Sequence, residues 1–448
     1  MKICLVRPFF PNPKIEPSLT RPPVPCIDAN PYPPFGLLQI ASYLEGHKVI
    51  LCDMQMPHWT IPEDVDAYLI SVFSSQLTIT HDIISEIKTT INPKAKFIVG
   101  GPAITYNLNQ AIKHIPNADI IYAGEGEHFA LNFDKYINSS EQVVKCPQLY
   151  NWNPHRMARW GIGDYEFYAS HRGFAVETSR GCCFNCVFCT SSLIFGKKWR
   201  PRKPLDVVDE LTRLKKQYGA KKVHFTDDNA TVDPERWYYL MWQIAEAKLG
   251  LKIIVPEGIQ AHHLDRETLK AMKAAGLTEF TIGAESGTQR VLDEVIDKGG
   301  LTVEKIEQVV RDAVSLGMKP SCFFVIGIAG ETLAEAEETV RFAEKLRKLG
   351  AENCNIRNSI PMPGTRQLQI AKEKGYLTVP EEQLENFDYV HTGKHLMITP
   401  EWTPKQIESL VAKAQIQNLQ HIARFHNLIR HPRSTLKLRR RLRRDFNV

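Results

Sequence analysis

Three cysteines within eight residues are the densest chemistry in the chain: Cys182, Cys186 and Cys189, spaced CxxxCxxC directly after an apolar, strand-like stretch. Thiolates grouped this way bind soft metals. A structural zinc ion takes four ligands, usually in two separated pairs, and no second pair follows at a suitable distance. A 4Fe–4S cluster normally takes four cysteines. Three close ones leave one iron open, and that iron can hold a small molecule by its amine and carboxylate. The adjacent Cys183 is expected to ligate nothing. Cys4, Cys26, Cys52, Cys146, Cys322 and Cys354 are scattered, mostly in apolar runs, and read as small buried hydrophobes.

The elements that must position these thiols follow a βα rhythm. In residues 1–150 the pattern predicts strands at Lys2–Arg7, Val49–Asp53, Ala67–Phe73, Lys96–Val99 and Ile120–Ala123. Helices fall at Pro34–Gly46, His81–Asn92 and Gln110–Ile115. Strands separated by helices of this length imply a doubly wound, Rossmann-like parallel sheet. Residues 151–170 show no periodicity and read as a linker. In residues 171–385 strands at Phe174–Thr178, Lys222–Phe225, Lys252–Pro256, Glu279–Ile282, Cys322–Ile328 and Asn353–Ile360 alternate with helices. Six such units predict a partial (β/α)6 barrel, with its chemistry at the strand C-terminal ends. Residues 386–448 read as helical. Thr403-Pro404-Lys405-Gln406 starts a helix whose Ile407, Leu410, Val411 and Ala414 share a face directed at the barrel.

Composition narrows the class. The chain has 448 residues, 43% hydrophobic and 24% charged, as in ordinary globular chains. No apolar run of about 18 residues marks a membrane span, and the amino terminus lacks a signal-peptide pattern; a cytoplasmic location is expected. Seven of the 56 basic residues and one of the 50 acidic ones lie in His431–Val448, so the rest of the chain is neutral overall. That balance excludes a general nucleic-acid footprint.

Ser179-Arg180-Gly181-Cys182-Cys183-Phe184-Asn185-Cys186-Val187-Phe188-Cys189 resembles the cluster loop of radical S-adenosylmethionine (SAM) enzymes. The residue after the first cysteine, often proline in that family, is Cys183 here. Phe225-Thr226-Asp227-Asp228-Asn229, Gly283-Ala284-Glu285-Ser286-Gly287, Ile326-Gly327-Ile328-Ala329-Gly330-Glu331-Thr332 and Pro361-Met362-Pro363-Gly364-Thr365 resemble that family's later strand-end segments, in order. Tyr32-Pro33-Pro34-Phe35-Gly36-Leu37-Leu38, Gly100-Gly101-Pro102 and Gly124-Glu125-Gly126-Glu127 resemble the cobalamin-binding domain of its cobalamin-dependent members. The resemblance covers residues 1–390 or so.

It implies a 4Fe–4S cluster on Cys182, Cys186 and Cys189. It implies SAM beside Phe188, Thr226, Asp227, Asp228, Glu285, Ser286 and Gly327. It implies cobalamin beside Pro34, Ser74, Ser75, Gly100, Gly101, Pro102, Gly124, Glu125 and Gly126. The glycines are expected to approach the corrin backbone-first, where a Cβ would crowd it. The DxHxxG motif that supplies a cobalt-ligating histidine elsewhere is absent; Asp53 and His58 stand at the wrong spacing.

The implied activity is a cobalamin-dependent radical SAM methyltransferase. It would methylate an unactivated carbon through a 5′-deoxyadenosyl radical and methylcobalamin. The same loop would serve a radical SAM cyclase, ring-rearranging or C–C bond-forming enzyme. An RNA methylthiotransferase fits less well, because the contexts of Cys4, Cys26 and Cys52 do not match a second cluster. A non-catalytic iron–sulfur or zinc protein is the remaining alternative. Expected partners are a small-molecule, lipid or peptide substrate and a flavodoxin- or ferredoxin-type electron donor. The basic tail reads as a solvated end; its sharper reading is a peripheral contact with an anionic membrane, worth ~1 kcal/mol per basic residue.

Overall fold

The computed structural model describes residues 1–9, 32–56, 59–146, 156–384 and 394–425. Cys26, His58 and the basic tail lie outside the described residues.

Runs such as Ile3-Cys4-Leu5-Val6, with every residue fully buried, need cover on both faces. They find it in a six-stranded parallel sheet of β1 (Lys2–Arg7), β2 (Lys48–Asp53), β3 (Ala67–Ser71), β4 (Lys96–Gly100), β5 (Ile120–Ala123) and β6 (Val143–Lys145). The strand order is β2-β1-β3-β4-β5-β6. Alternate residues feed opposite cores. Cys4, Val6, Tyr68, Ile70, Phe97 and Val99 pack against α2 (Leu77–Glu86), α3 (Pro102–Tyr106) and α4 (Leu108–His114). Ile3, Leu5, Leu69, Ile98 and Tyr122 pack against α1 (Phe35–Ala41), α5 (Gly126–Leu131) and α6 (Phe133–Ile137). The order reverses between β1 and β3, and crevices at such reversals are where open α/β sheets bind ligands.

The second sheet holds β7 (Phe174–Val176), β10 (Lys222–Phe225), β11 (Lys252–Ile259), β12 (Leu277–Glu285), β13 (Lys319–Ile326) and β14 (Asn353–Asn358), in that order and all parallel. Between β7 and β10 lies a two-stranded antiparallel ribbon of β8 (Ser179–Arg180) and β9 (Arg200–Pro201). The helices are α7 (Tyr165–His171), α8 (Ser191–Phe195), α9 (Pro204–Tyr218), α10 (Pro234–Glu246), α11 (Arg266–Ala274), α12 (Val303–Ser315), α13 (Leu333–Leu349), α14 (Arg366–Glu373) and α15 (Pro404–Phe425). Asp233, Asp265, Thr302, Thr332 and Thr365 each accept the N–H three residues on, and so start the helix after their strand. Each such cap contributes about 1 kcal/mol. The result is a partial (β/α)6 barrel.

Helix α15 covers the free edge of β14, where Asn418 Oδ1 accepts the Cys354 N–H at 3.0 Å. Among the described residues no helix is long and apolar enough to cross a membrane. Three differences from the sequence reading stand out. Helix α2 begins at Leu77 and ends in a π-helical turn, Ile87–Ile91. The short β6, α3, α5 and α6 were not foreseen. The stretch read as a linker contains α7 and the fully buried Trp160, whose ring meets Phe174 edge-on at 4.8 Å.

Candidate active site

The cluster loop is an excursion closed at its base. Ser179 pairs with Pro201 and Arg180 with Arg200, and everything between belongs to the loop and α8. Gly181 turns the chain at φ +84°; a Cβ there would stand 2.7 Å from the Lys198 carbonyl. Main-chain bonds fix the rest: Val187 N–H to Ile296 O, Cys189 N–H to Cys186 O and Gln367 N–H to Val187 O, each 3.0 Å. Cys182, Cys186 and Cys189 are half-buried, whereas Cys183 is exposed. Phe188 is half-buried against the barrel core.

At the end of β10 three polar residues diverge. The resemblance implies SAM beside both Asp227 and Asp228. The Asp227 carboxylate is buried and engaged by the Thr178 N–H at 2.9 Å, the Thr178 hydroxyl at 2.7 Å and the Ser179 hydroxyl at 2.6 Å. It ties β7 to β8 and offers nothing to the open face. Asp228 accepts the Gly181 N–H at 2.9 Å, anchoring the first residue of the cluster loop. Thr226 is half-exposed beside them.

The end of β12 splits in the same way. Glu285, held at φ +62°, accepts from Lys298 Nζ at 2.6 Å, and both are buried. This pair neighbours Cys186, whose thiol burial pushes up to about 12 while the Lys298 ammonium pulls it down. Ser286 faces the other way: fully buried, its hydroxyl meets that of Thr339 on α13 at 3.1 Å. Ser286 thus joins the packing of β12's end against α13. Gly327 is closely packed as well. A Cβ there would lie 2.7 Å from the His395 ring and 2.9 Å from Ile407, so the glycine admits the segment leading into α15. Its N–H donates to Glu331 at 2.6 Å. Burial raises the Glu331 carboxyl to about 8.

In the first sheet, the ends of β3, β4 and β5 present Ser74, Ser75, Gly100, Gly101, Pro102 and Gly124 half-exposed, with Phe73 outermost at 47%. Pro34 is buried at the start of α1. The glycines serve packing. A Cβ would stand 2.6 Å from Val72 N at Gly101, 2.7 Å from Cys146 Cβ at Gly124 and 2.4 Å from Ile40 Cδ1 at Gly126. Their Cβ side is thus closed by the protein itself. Glu125 is 5% exposed and bonded to Arg180 and Arg200 of the barrel.

The two sheets meet at this end. Gly364, after β14, approaches Leu193 of α8 and the Tyr106 carbonyl of α3, which a Cβ would reach at 2.9 and 3.8 Å. Tyr32 lies against the barrel, its ring 4.4 Å from the Arg172 guanidinium and edge-on to His224 at 5.6 Å. Its carbonyl accepts from Arg7, which also chelates Asp53 at 2.7 and 2.5 Å. Lys298, Arg180, Glu127 and Glu177 were missed by the sequence reading. The signal available was a charge beside a glycine at Glu127, Arg180 and Lys298, and the i, i+3 spacing of Glu177 and Arg180.

The donor set suits a cluster. Among the described residues no three His, Cys, Asp or Glu side chains converge on a single metal ion. A 4Fe–4S cluster needs no such point, because each iron takes its own thiolate. Cys182, Cys186 and Cys189 share one electrostatic neighbourhood, with Lys298 as the nearest compensating charge for Cys186. The exposed Phe73 and the half-exposed hydroxyls and glycines suit a flat, largely apolar macrocycle with polar rims. Cys4 and Cys52 are buried inside the first sheet and do not face this space.

The radical SAM superfamily model matches residues 176–343, and the B12 binding domain model matches residues 28–133. An uncharacterized methyltransferase of Pyrococcus horikoshii is 29% identical over 86% of this chain and 87% of its own length. The cytidylyl-2-hydroxyethylphosphonate methyltransferase of Streptomyces wedmorensis is 28% identical over 77% of this chain and 72% of its own. The radical SAM methyltransferase TsrM of Kitasatospora setae, solved with cobalamin and a 4Fe–4S cluster bound, shares the fold with a TM-score of 0.68. It is 16% identical, covering 93% of this chain and 92% of that one.

Proposed function

Since the chain belongs to the cobalamin-binding radical SAM enzymes, with 4Fe–4S cluster, SAM and cobalamin as its cofactors, we propose that it methylates an unactivated carbon. The observation that carries this reading is the meeting of α3, α8 and the Gly364 turn, which turns the crevice end of the first sheet toward the cluster loop. When bound, the cluster and SAM supply a carbon-centred radical and cobalamin supplies a methyl group.

Cys182, Cys186 and Cys189 hold the cluster. Lys298 balances the thiolate charge at Cys186. Thr226 and Glu285, at the ends of their strands, and Phe188, in the cluster loop, would border SAM. Ser74, Ser75 and the Gly100-Gly101-Pro102 turn border the cobalamin face. The Asp227 and Asp228 bonds keep the first barrel loop closed around this space and so exclude water. The substrate is a small molecule, lipid or peptide, and a low-potential flavodoxin or ferredoxin delivers the electron.

The test needs no substrate. Anaerobically reconstituted protein receives SAM and a chemical reductant, with and without cobalamin. The reading expects 5′-deoxyadenosine in both samples and S-adenosylhomocysteine only with cobalamin. 5′-Deoxyadenosine without cobalamin-dependent S-adenosylhomocysteine would instead indicate a radical reaction without methyl transfer.

A further inference from the structure

The base of the cluster loop is bonded to the other half of the molecule through buried charge. Arg180 Nη1 donates to Glu125 at 2.7 Å and Nη2 to Glu127 at 2.6 Å, the residue before α5 and one in its first turn. The same guanidinium donates to Glu177 at 2.9 and 2.8 Å. Arg200, paired with Arg180 across the ribbon, reaches the second oxygen of Glu125 at 2.8 Å. All five residues are at most 9% exposed. Both arginines of the ribbon thus end on one acidic stretch of the first domain, and Arg180 stands two residues before Cys182.

Three carboxylates face two guanidiniums. Burial brings the Glu177 carboxyl up to about 7, so a proton relieves the surplus near neutrality. Such a cluster is worth little as net stability, because desolvation offsets most of the attraction. What it does well is fix geometry: a planar guanidinium with forked donors accepts one arrangement of its partners. Phe195 of α8 packs 5.3 Å from the Arg180 guanidinium on the loop side.

We propose that Arg180 and Arg200 are positioning residues that lock the cluster loop to the Glu125–Glu127 stretch, and so set the cluster at one distance and orientation from the cobalamin face. The purpose of the lock rests on the family reading above; its existence does not.

Hydrogen exchange of the cofactor-free full-length protein tests the lock directly. In the E125Q/E127Q variant the amides of Gly181–Cys189 should exchange about tenfold faster or more. No residue of that loop has been changed, and β11, β12 and β13 should keep wild-type protection. E127Q alone should show a smaller rise at the same amides, which keeps the test available if the double variant does not fold. R180K should exchange like the double variant, because an ammonium keeps the charge but cannot fork among three carboxylates. After reconstitution the same variants should lose iron to a chelator faster than wild type. Wild-type protection of the loop in E127Q and E125Q/E127Q would overturn the proposal. So would wild-type protection in R180K, which would reduce the cluster to charge balance. A failure of cobalamin-dependent S-adenosylhomocysteine formation would leave the exchange result standing, so the two claims fail separately.

Discussion

The two parallel sheets share one βα grammar but hold their functional ends by opposite means. The first sheet ends in tight turns in which the main chain packs on itself, as where Gly101 sits over Val72 and Gly124 over Cys146. The barrel sends out a long excursion, Gly181 to Trp199, and secures its base with carboxylates: Asp227 and Asp228 from within the barrel, Glu125 and Glu127 from outside it. A flat face for a preformed macrocycle can be made rigid by close packing. A loop that must open around a cluster needs directional, reversible anchors at its ends instead. The comparison teaches that glycine at a strand end is not by itself evidence of ligand contact.

The largest effect should come from removing the excursion's cargo. Cys182→Ala, Cys186→Ala or Cys189→Ala should each abolish reductive SAM cleavage, while the exposed Cys183→Ala retains it. Iron content and 5′-deoxyadenosine formation check this. A wild-type cluster in Cys182→Ala would break the assignment.

The first sheet should respond to a methyl group. Gly101→Ala forces a Cβ toward Val72 N at φ +108° and should destabilise the protein by about 3 kcal/mol, with or without cobalamin. At Gly100 the nearest atom to a Cβ is the Tyr122 carbonyl at 3.5 Å, so Gly100→Ala should cost under about 1 kcal/mol. Denaturant midpoints of the full chain compare the two. Equal, cobalamin-dependent effects would support the corrin-contact reading.

Much of this architecture was legible because strand and helix periodicities are local. Lys2–Arg7, Ile120–Ala123 and Lys222–Phe225 emerged with the boundaries expected. The three-residue β6 and five-residue α3 are too short to show a period. The cluster cysteines were legible because their spacing is itself the signal. The contacts of Glu125, Ser286 and Gly327 were not legible because their partners lie on other elements: Arg180, Thr339 and His395, at sequence separations no local pattern reports.

A smaller effect should appear at the loop after β13, which buries a carboxyl that forms no salt bridge among the described residues. Glu331 titrates near 8 when folded and about 4.3 when unfolded. Its folded form therefore binds the extra proton, and the stability this contributes is full below the unfolded value and lost as pH rises through 8. Wild type should lose about 2 kcal/mol more than Glu331→Gln between pH 6 and pH 8. Parallel pH dependence of the two would mean that the carboxyl is charged in place.

The central claim is that both cofactor faces open on one space. A reduced 4Fe–4S cluster and cob(II)alamin each carry an unpaired electron. Electron paramagnetic resonance of protein loaded with both should show mutual broadening and faster relaxation than either singly loaded form. A doubly loaded spectrum equal to the sum of the single ones, with unchanged relaxation, would contradict it.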